Sequence, residues 1–337
     1  MTYQNVSGRE QHMATLKDVA RETGYTVSTV SRILNNRGYI SDEARQKVSE
    51  AMKKLNYQPN ALARSLSKKS TNMIGIIVPH INHPYFSMII SELQTALMHR
   101  GYQIMLFNSK NRDDRQAKYV EMCRSNRVAG IILMSGLVSM EYLRKLDVPL
   151  ITIERNLDCG TASIECDNYG GGRIAAEHLI AHGCRNLISI SGIHNAEMPA
   201  DARAEGFARV CAEHGVKCSD IKTTMMQYNT YEYKDVIRTA LKNEKGCDGI
   251  FASSDIIAAQ VIQVAAEYGI SIPGDIRLVG FDDSLIASLT FPQITSVHQP
   301  VHEMAEMAAQ LMTDSIAGGI VPTRTVLPVS LTERESS

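Results

Sequence analysis

The sequence predicts an α/β protein, a small all-helical head followed by two lobes that are each a doubly wound parallel sheet. Three observations carry this. Charge is divided unevenly along the 337 residues: positions 14–69 hold eleven Lys/Arg against five Asp/Glu, and positions 70–337 hold twenty-three against thirty. The basic stretch shows only helical periodicity. From residue 72 onward, short apolar runs alternate with amphipathic segments of roughly 10–15 residues, the mark of parallel sheets covered on both faces.

Composition excludes several classes. With 44% apolar residues the chain can bury a sizeable core, so wholesale disorder is excluded. No apolar run approaches the ~18–20 residues needed to cross a bilayer. The N-terminus, MTYQNVSGREQH, lacks the apolar core of a secretory signal. Seven Cys lie scattered from Cys123 to Cys247 without a CxxC pair or a Cys/His cluster, which argues against structural zinc and a disulfide framework. A soluble cytoplasmic protein without membrane contact, metal or cofactor is expected. Residues 1–12 are expected to be an extension outside the fold, 13–58 the head, 59–71 a linker and 72–337 the body.

Within the head, Leu16, Val19 and Ala20 share one helical face, with Thr15 placed to cap it. Gly24 can stop that helix in a left-handed turn. Thr26 then caps a second segment, Val27 to Leu34, with Val30, Ile33 and Leu34 facing inward. Two short helices joined by a tight glycine turn make a helix-turn-helix. A third helix starts at Ser41 and runs to about Asn56, with Ala44, Val48, Ala51, Met52 and Leu55 as its stripe. The outer face of the second helix presents Val27, Ser28, Thr29 and Arg32, groups suited to base edges and phosphates in a major groove. After Tyr57-Gln58-Pro59, Asn60 can cap a further helix over 61–67, too short to stand alone in water. It pairs the small Ala63 with an apolar Leu66 between basic residues. Such a segment makes sense if it folds only against DNA and a second copy.

These residues carry a resemblance. TLKDVARETGYTVSTVSRILN followed by SDEARQKVSEAMKKLNYQPNALARSL resembles the lactose/galactose-repressor family of bacterial transcription regulators. The resemblance implies that Val27, Ser28 and Arg32 read bases and that Thr15, Thr26, Thr29 and Ser31 lie near phosphates. It also implies that Asn60, Ala63 and Leu66 belong to a hinge helix, with Leu66 a minor-groove lever. The partner implied is a double-stranded operator, a pseudo-palindrome gripped by a homodimer. No leucine heptad extends beyond residue 318, so a tetramerising tail is not expected.

In the body, strands are expected at 73–78, 103–108, 130–134, 149–154, 187–192, 249–253 and 276–281. Helices are expected near 86–100, 114–126, 168–183, 200–214, 231–243 and 255–268. The pattern divides at about residue 160 into two lobes. The resemblance implies lobes of the periplasmic-binding-protein type, with chain crossovers and a cleft at the carboxyl ends of the strands. Polar groups at those ends are the candidates for a small-molecule effector: Asn82, His83, Tyr85 and Phe86 after the first strand, then Arg203 in an RxxGF pattern. Ser254 stands where relatives often carry Asn, and Asp282 lies in Gly280-Phe281-Asp282-Asp283. Asn229 falls where many relatives have a stacking aromatic. The segments DNYGGGRIAAEHLIAHGC and LPVSLTER are similar to regulators of sucrose and ribose operons, which implies a sugar or sugar phosphate as effector.

Catalysis finds no support. Gly170-Gly171-Gly172 lacks the GxGxxG spacing, and neither a Gly-x-Ser-x-Gly elbow, a GxxxxGK[ST] loop nor an HExxH pair occurs. The alternatives are a global catabolite regulator tuned by a phosphocarrier protein and a sugar-binding transport protein. The latter leaves the basic head without a use.

Overall fold

A computed structural model describes residues 14–34, 38–57, 71–134, 140–155, 157, 159–193 and 198–337. The expected extension at 1–12 and the hinge candidates Asn60, Ala63 and Leu66 lie outside the described residues. The chain divides into two compact units at Thr71/Asn72.

The head consists of α1 (Leu16–Thr23), α2 (Val27–Leu34) and α3 (Asp42–Lys54). Thr15 caps α1: its hydroxyl and its backbone N–H both donate to Asp18 Oδ2, at 2.7 and 2.9 Å. Gly24 turns the chain at φ 74°, where any side chain would be strained. Thr26 caps α2 by accepting the Thr29 N–H at 3.1 Å. Val19, Ala20, Val30, Ile33, Val48 and Ala51 close the core. Ala20 is small enough for α2 to cross close above it.

The first lobe of the body contains β1 (Met73–Val78), α4 (Pro84–His99), β2 (Gln103–Asn108), α5 (Asp113–Ser125), β3 (Gly130–Leu133), α6 (Met140–Leu143), β4 (Leu150–Ile153) and β5 (Ala162–Cys166). The second contains α7 (Asn168–Ala181), β6 (Asn186–Ile193), α8 (Ala202–Glu213), β7 (Lys217–Thr223), α9 (Met225–Thr230), α10 (Lys234–Asn243), β8 (Gly249–Ala252), α11 (Asp255–Glu267), β9 (Arg277–Asp282), α12 (Leu285–Leu289) and β10 (Thr295–His298). The chain then returns with α13 (Val301–Ile316) and β11 (Arg324–Leu327) to the first lobe before β12 (Ser330–Thr332) closes the second.

One sheet runs β11-β5-β4-β3-β1-β2 in parallel. The other runs β12-β10-β9-β8-β6-β7, parallel except for β12, which pairs antiparallel with β10. All seven strands expected from the apolar runs form. The division expected at about residue 160 falls after β5, which ends at Cys166, and the expected crossovers number three: before α7, before α13 and before β12. β5 and β10 escaped the apolar pattern because they bury polar residues, Glu165 in one and Thr295 and Ser296 in the other. β7, a half-exposed edge strand, escaped for the opposite reason.

Core and site are joined by a ladder of rings. Phe207 stacks on Phe251 with centroids 5.1 Å apart, and Phe251 meets Phe281 edge-on at 6.4 Å. All three are fully buried, each worth about 2–3 kcal/mol of transfer free energy. They form the floor on which Arg203 rests.

Candidate functional site

The carboxyl ends of both sheets face each other across a cleft with about 830 Å³ of empty space, its mouth included. Its first-lobe wall is built by the first turn of α4, which carries His83, Tyr85 and Phe86 to the lining, and by Glu154 at the end of β4. Arg203 on α8, Ser254 at the cap of α11 and Asp282 at the end of β9 form the opposite wall. Six of the seven effector candidates therefore line one cavity. Asn82 does not: it is exposed and accepts the Tyr231 hydroxyl at 3.2 Å.

Arg203 is the hub. It is 6% exposed; its Nε donates to Asn168 Oδ1 at 2.7 Å, one terminal nitrogen donates to the Ser253 carbonyl at 2.8 Å, and its guanidinium lies 3.6 Å from the Phe281 ring centre. Asp282 stands 3.9 Å away on its own lobe, and Glu154 4.0 Å away on the other. Asp282 and Glu154 sit at φ 105° and 53°, backbone that costs non-glycine residues of order 1–3 kcal/mol and concentrates at functional sites. Burial pushes the Asp282 carboxyl well above the usual range, opposed by the Arg203 charge. Burial raises Glu154 likewise, against Arg203 and the Asn168 amide. Behind them Asp255 accepts from Ser284 and Ser296, and burial raises it to about 6.

Among the described residues, three buried side-chain atoms at this cleft find no hydrogen-bond partner: His83 Nδ1, Tyr85 Oη and Gln299 Oε1. Gln299 is anchored by donating its amide to Asp282 Oδ1 at 2.7 Å, so its carbonyl oxygen remains to receive a ligand donor. A buried polar atom without a partner costs about 1–3 kcal/mol, which a bound molecule would relieve.

Glu154, Asp201, Tyr228, Tyr233 and Gln299 also line the cleft and were not singled out from the sequence. The aromatic missing at Asn229 is supplied one position earlier by Tyr228. Asn229 instead takes part in an inter-lobe cluster, its Oδ1 3.0 Å from His80 Nε2 and 3.1 Å from Asn111 Nδ2. The cue that the sequence offered was Tyr228 beside Tyr231 and Tyr233, three rings in six residues.

Burial drives the His83 imidazole down to about 3. A base with a depressed folded value binds fewer protons than its unfolded counterpart, so its share of stability is complete above about pH 6.5 and is lost as pH falls toward 3. Asp255, raised from 3.8 to about 6, has the opposite slope over an overlapping range. His83→Phe is therefore expected to remove the acid-sensitive part selectively. Urea midpoints measured between about pH 4 and 7 should fall less with acid in the variant than in the parent, and identical slopes would refute this account.

On the head, Val27, Ser28 and Arg32 are exposed along one side of α2, Thr15 and Thr26 are exposed at helix starts, and Thr29 and Ser31 are half-buried beside them. Thr26 Oγ1 lies 2.9 Å from Ser28 Oγ and 2.8 Å from Thr29 Oγ1, a compact hydroxyl cluster at the N-terminal end of the exposed face.

No described helix is long and apolar enough to cross a membrane. Residues 15–60 match the bacterial regulatory proteins, lacI family, and residues 176–337 match a periplasmic binding protein-like domain. The chain is 35% identical over 324 residues to the sucrose operon repressor of Streptococcus mutans, covering 96% of this chain and 99% of that protein. It is 32% identical over 326 residues to the ribose operon repressor of Halalkalibacterium halodurans, covering 96% and 97%. Among solved structures it resembles a complex of the transcriptional regulator CelR with cellobiose, with a TM-score of 0.70 and 28% identity over 96% of this chain and 100% of that one. A DNA-reading head, a two-lobed body with a polar cleft, and relatives that match end to end place the chain in the LacI family of bacterial transcription regulators.

Proposed function

We propose that this protein represses genes of carbohydrate uptake or catabolism, and that a sugar or sugar phosphate bound between the lobes switches its affinity for an operator. The observation that carries the reading is the convergence of Arg203, Asp282 and Glu154 with three unpartnered polar atoms on one cleft. The names of its relatives, which refer to sucrose and ribose operons, and the cellobiose held by a similar structure support the sugar class. Arg203 and Asp282 hold neighbouring hydroxyls through charge-assisted bonds, each worth about 1.5–3 kcal/mol net. His83, Tyr85, Phe86 and Ser254 complete the pocket, and Asn82 acts at its rim.

On the DNA side, Val27, Ser28 and Arg32 read base edges, while Thr15, Thr26, Thr29 and Ser31 hold phosphates. Residues 13–58 form this head and 59–71 the hinge, where Asn60, Ala63 and Leu66 pack against the minor groove. Two copies grip a pseudo-palindrome, and cleft closure alters hinge folding with a coupling of about 1–3 kcal/mol.

The test is to select a preferred duplex from a random pool with the purified protein, then titrate it in the presence of a sugar panel. At least one sugar should change affinity by about fivefold or more. Equal, weak binding to every duplex, unmoved by any sugar or sugar phosphate, would overturn the proposal. In the same assay Arg32→Ala should lose about 1–3 kcal/mol of discrimination against mismatched duplexes, and an unaltered sequence preference would remove Arg32 from the reading set.

A further inference from the structure

We infer that α9 and the turn after it form a latch that holds the two lobes together at the side of the cleft opposite the crossovers. Its parts are Asn229 and Tyr231 on the second lobe and His80, Asn82 and Asn111 on the first. None of these five is among the lining residues of the cavity. The inference therefore goes beyond the effector reading: the lobes carry a closing contact of their own.

The first argument is topology. The chain leaves one lobe for the other after β5, after β10 and after β11, each at or next to one edge of its sheet. β2 and β7 form the other edges. Lobes tied along one side hinge about it, and the far side travels furthest on opening. On that side the loop after β1 carries His80 and Asn82, the loop after β2 carries Asn111, and α9 follows β7.

The second argument is the bonding across that far side. Asn229 Oδ1 accepts the Asn111 amide N–H at 3.1 Å and lies 3.0 Å from His80 Nε2. An amide oxygen only accepts, so His80 donates through Nε2–H, and one oxygen draws in two loops of the first lobe. The Tyr231 hydroxyl donates to Asn82 Oδ1 at 3.2 Å. The His80 ring, itself buried, meets Tyr228 and Tyr231 edge-on with centroids 5.5 Å from each.

The third argument is that both halves are built in advance. On the second lobe, Gln260 of α11 donates its amide to the Tyr231 carbonyl at 2.7 Å and accepts the Tyr233 N–H at 2.8 Å. On the first, the Lys110 N–H donates to the Pro79 carbonyl at 2.8 Å and ties the Asn111 loop to the His80 loop. Tyr231, Lys110 and Asn111 sit at φ 60°, 51° and 52°, backbone that non-glycine residues keep only where the surroundings over-determine it. Parts fixed beforehand lose little freedom when they meet. A net hydrogen bond of ordinary strength moves an equilibrium about two- to tenfold, so the two on Asn229 bias closure at least about fivefold.

The experiment is single-pair energy transfer in the full-length protein, without sugar or DNA, between dyes at position 121 on α5 and position 242 on α10, both exposed. Labelled chains are diluted into unlabelled ones so that each pair reports one subunit. The parent should populate a closed, high-transfer state. Asn229→Ala should shift the closed-to-open ratio toward open at least about fivefold, with the melting temperature unchanged because Asn229 is exposed. Asn229→Asp keeps the acceptor oxygen and should stay at least as closed as the parent. A ratio unmoved in Asn229→Ala overturns the inference, as does Asn229→Asp opening as far as Asn229→Ala. With neither sugar nor operator present, either result leaves the sugar-effector reading standing.

Discussion

Gly172→Ala or Gly206→Ala is expected to cost the body about 3 kcal/mol, the upper end of overpacking penalties, and to remove ligand binding with it. Helices α7 and α8 touch through these two residues. A methyl group on Gly172 would strike the backbone carbonyl of Arg203, and one on Gly206 would strike the carbonyl of Tyr169. Neither obstacle is a side chain that can rotate away, so the helices must part. Arg203 stands in the first turn of α8, so any separation draws its guanidinium off Phe281, Asn168 and the Ser253 carbonyl. Fold stability and cleft chemistry thus share one backbone contact. Melting temperature should fall on the order of 5–10 °C, and calorimetric response to the effector should vanish. A variant with the parent's melting temperature and affinity would show that the two helices have slack.

Arg203→Ala is expected to destabilise the body by about 3–5 kcal/mol, the cost of leaving buried charges without their partner. Asp282 is 4% exposed and Glu154 lines the same cleft. Both are already raised by burial and held down by the Arg203 charge. Without it their folded values rise further. A carboxyl with a raised folded value binds more protons folded than unfolded, so the deficit is largest above that value and shrinks as pH falls toward the ordinary carboxylate range. The variant should therefore approach the parent at about pH 4–5 and diverge from it at pH 7–8. Adding Asp282→Asn to Arg203→Ala should recover part of the loss, because removing both members of a buried pair is better tolerated than removing one. A double variant no more stable than the single would mean that packing on Phe281, not charge, is what Arg203 supplies.

Much of this protein is legible without coordinates because its signals are local. Helix caps, the turn glycine at 24 and a 3.6-residue stripe describe the head completely enough to place Val27, Ser28 and Arg32 on one exposed side. Seven apolar runs locate six inner strands of the two sheets and the edge strand β2, since a strand buried on both faces is apolar throughout unless, like β5 and β10, it buries polar residues. Strand ends together with the family resemblance then nominate Tyr85, Phe86 and Asp282, and the RxxGF pattern of the family nominates Arg203; all four line the cleft. The run Gly170-Gly171-Gly172 shows the limit. Its spacing excluded a phosphate cradle, yet nothing local says that a helix thirty residues later must press against Gly172.

What the amino-acid order determined alone was the set of pieces, their inward and outward faces, and the chemistry available at strand ends. Only the tertiary structure decided that the chain crosses between lobes three times, that Tyr228 and not position 229 lines the cleft, and that Glu154 from one lobe confronts Arg203 from the other. The physical reason is range. Periodicity and capping act over one or two turns, whereas the charge balance of the cleft depends on side chains brought together from opposite sheets.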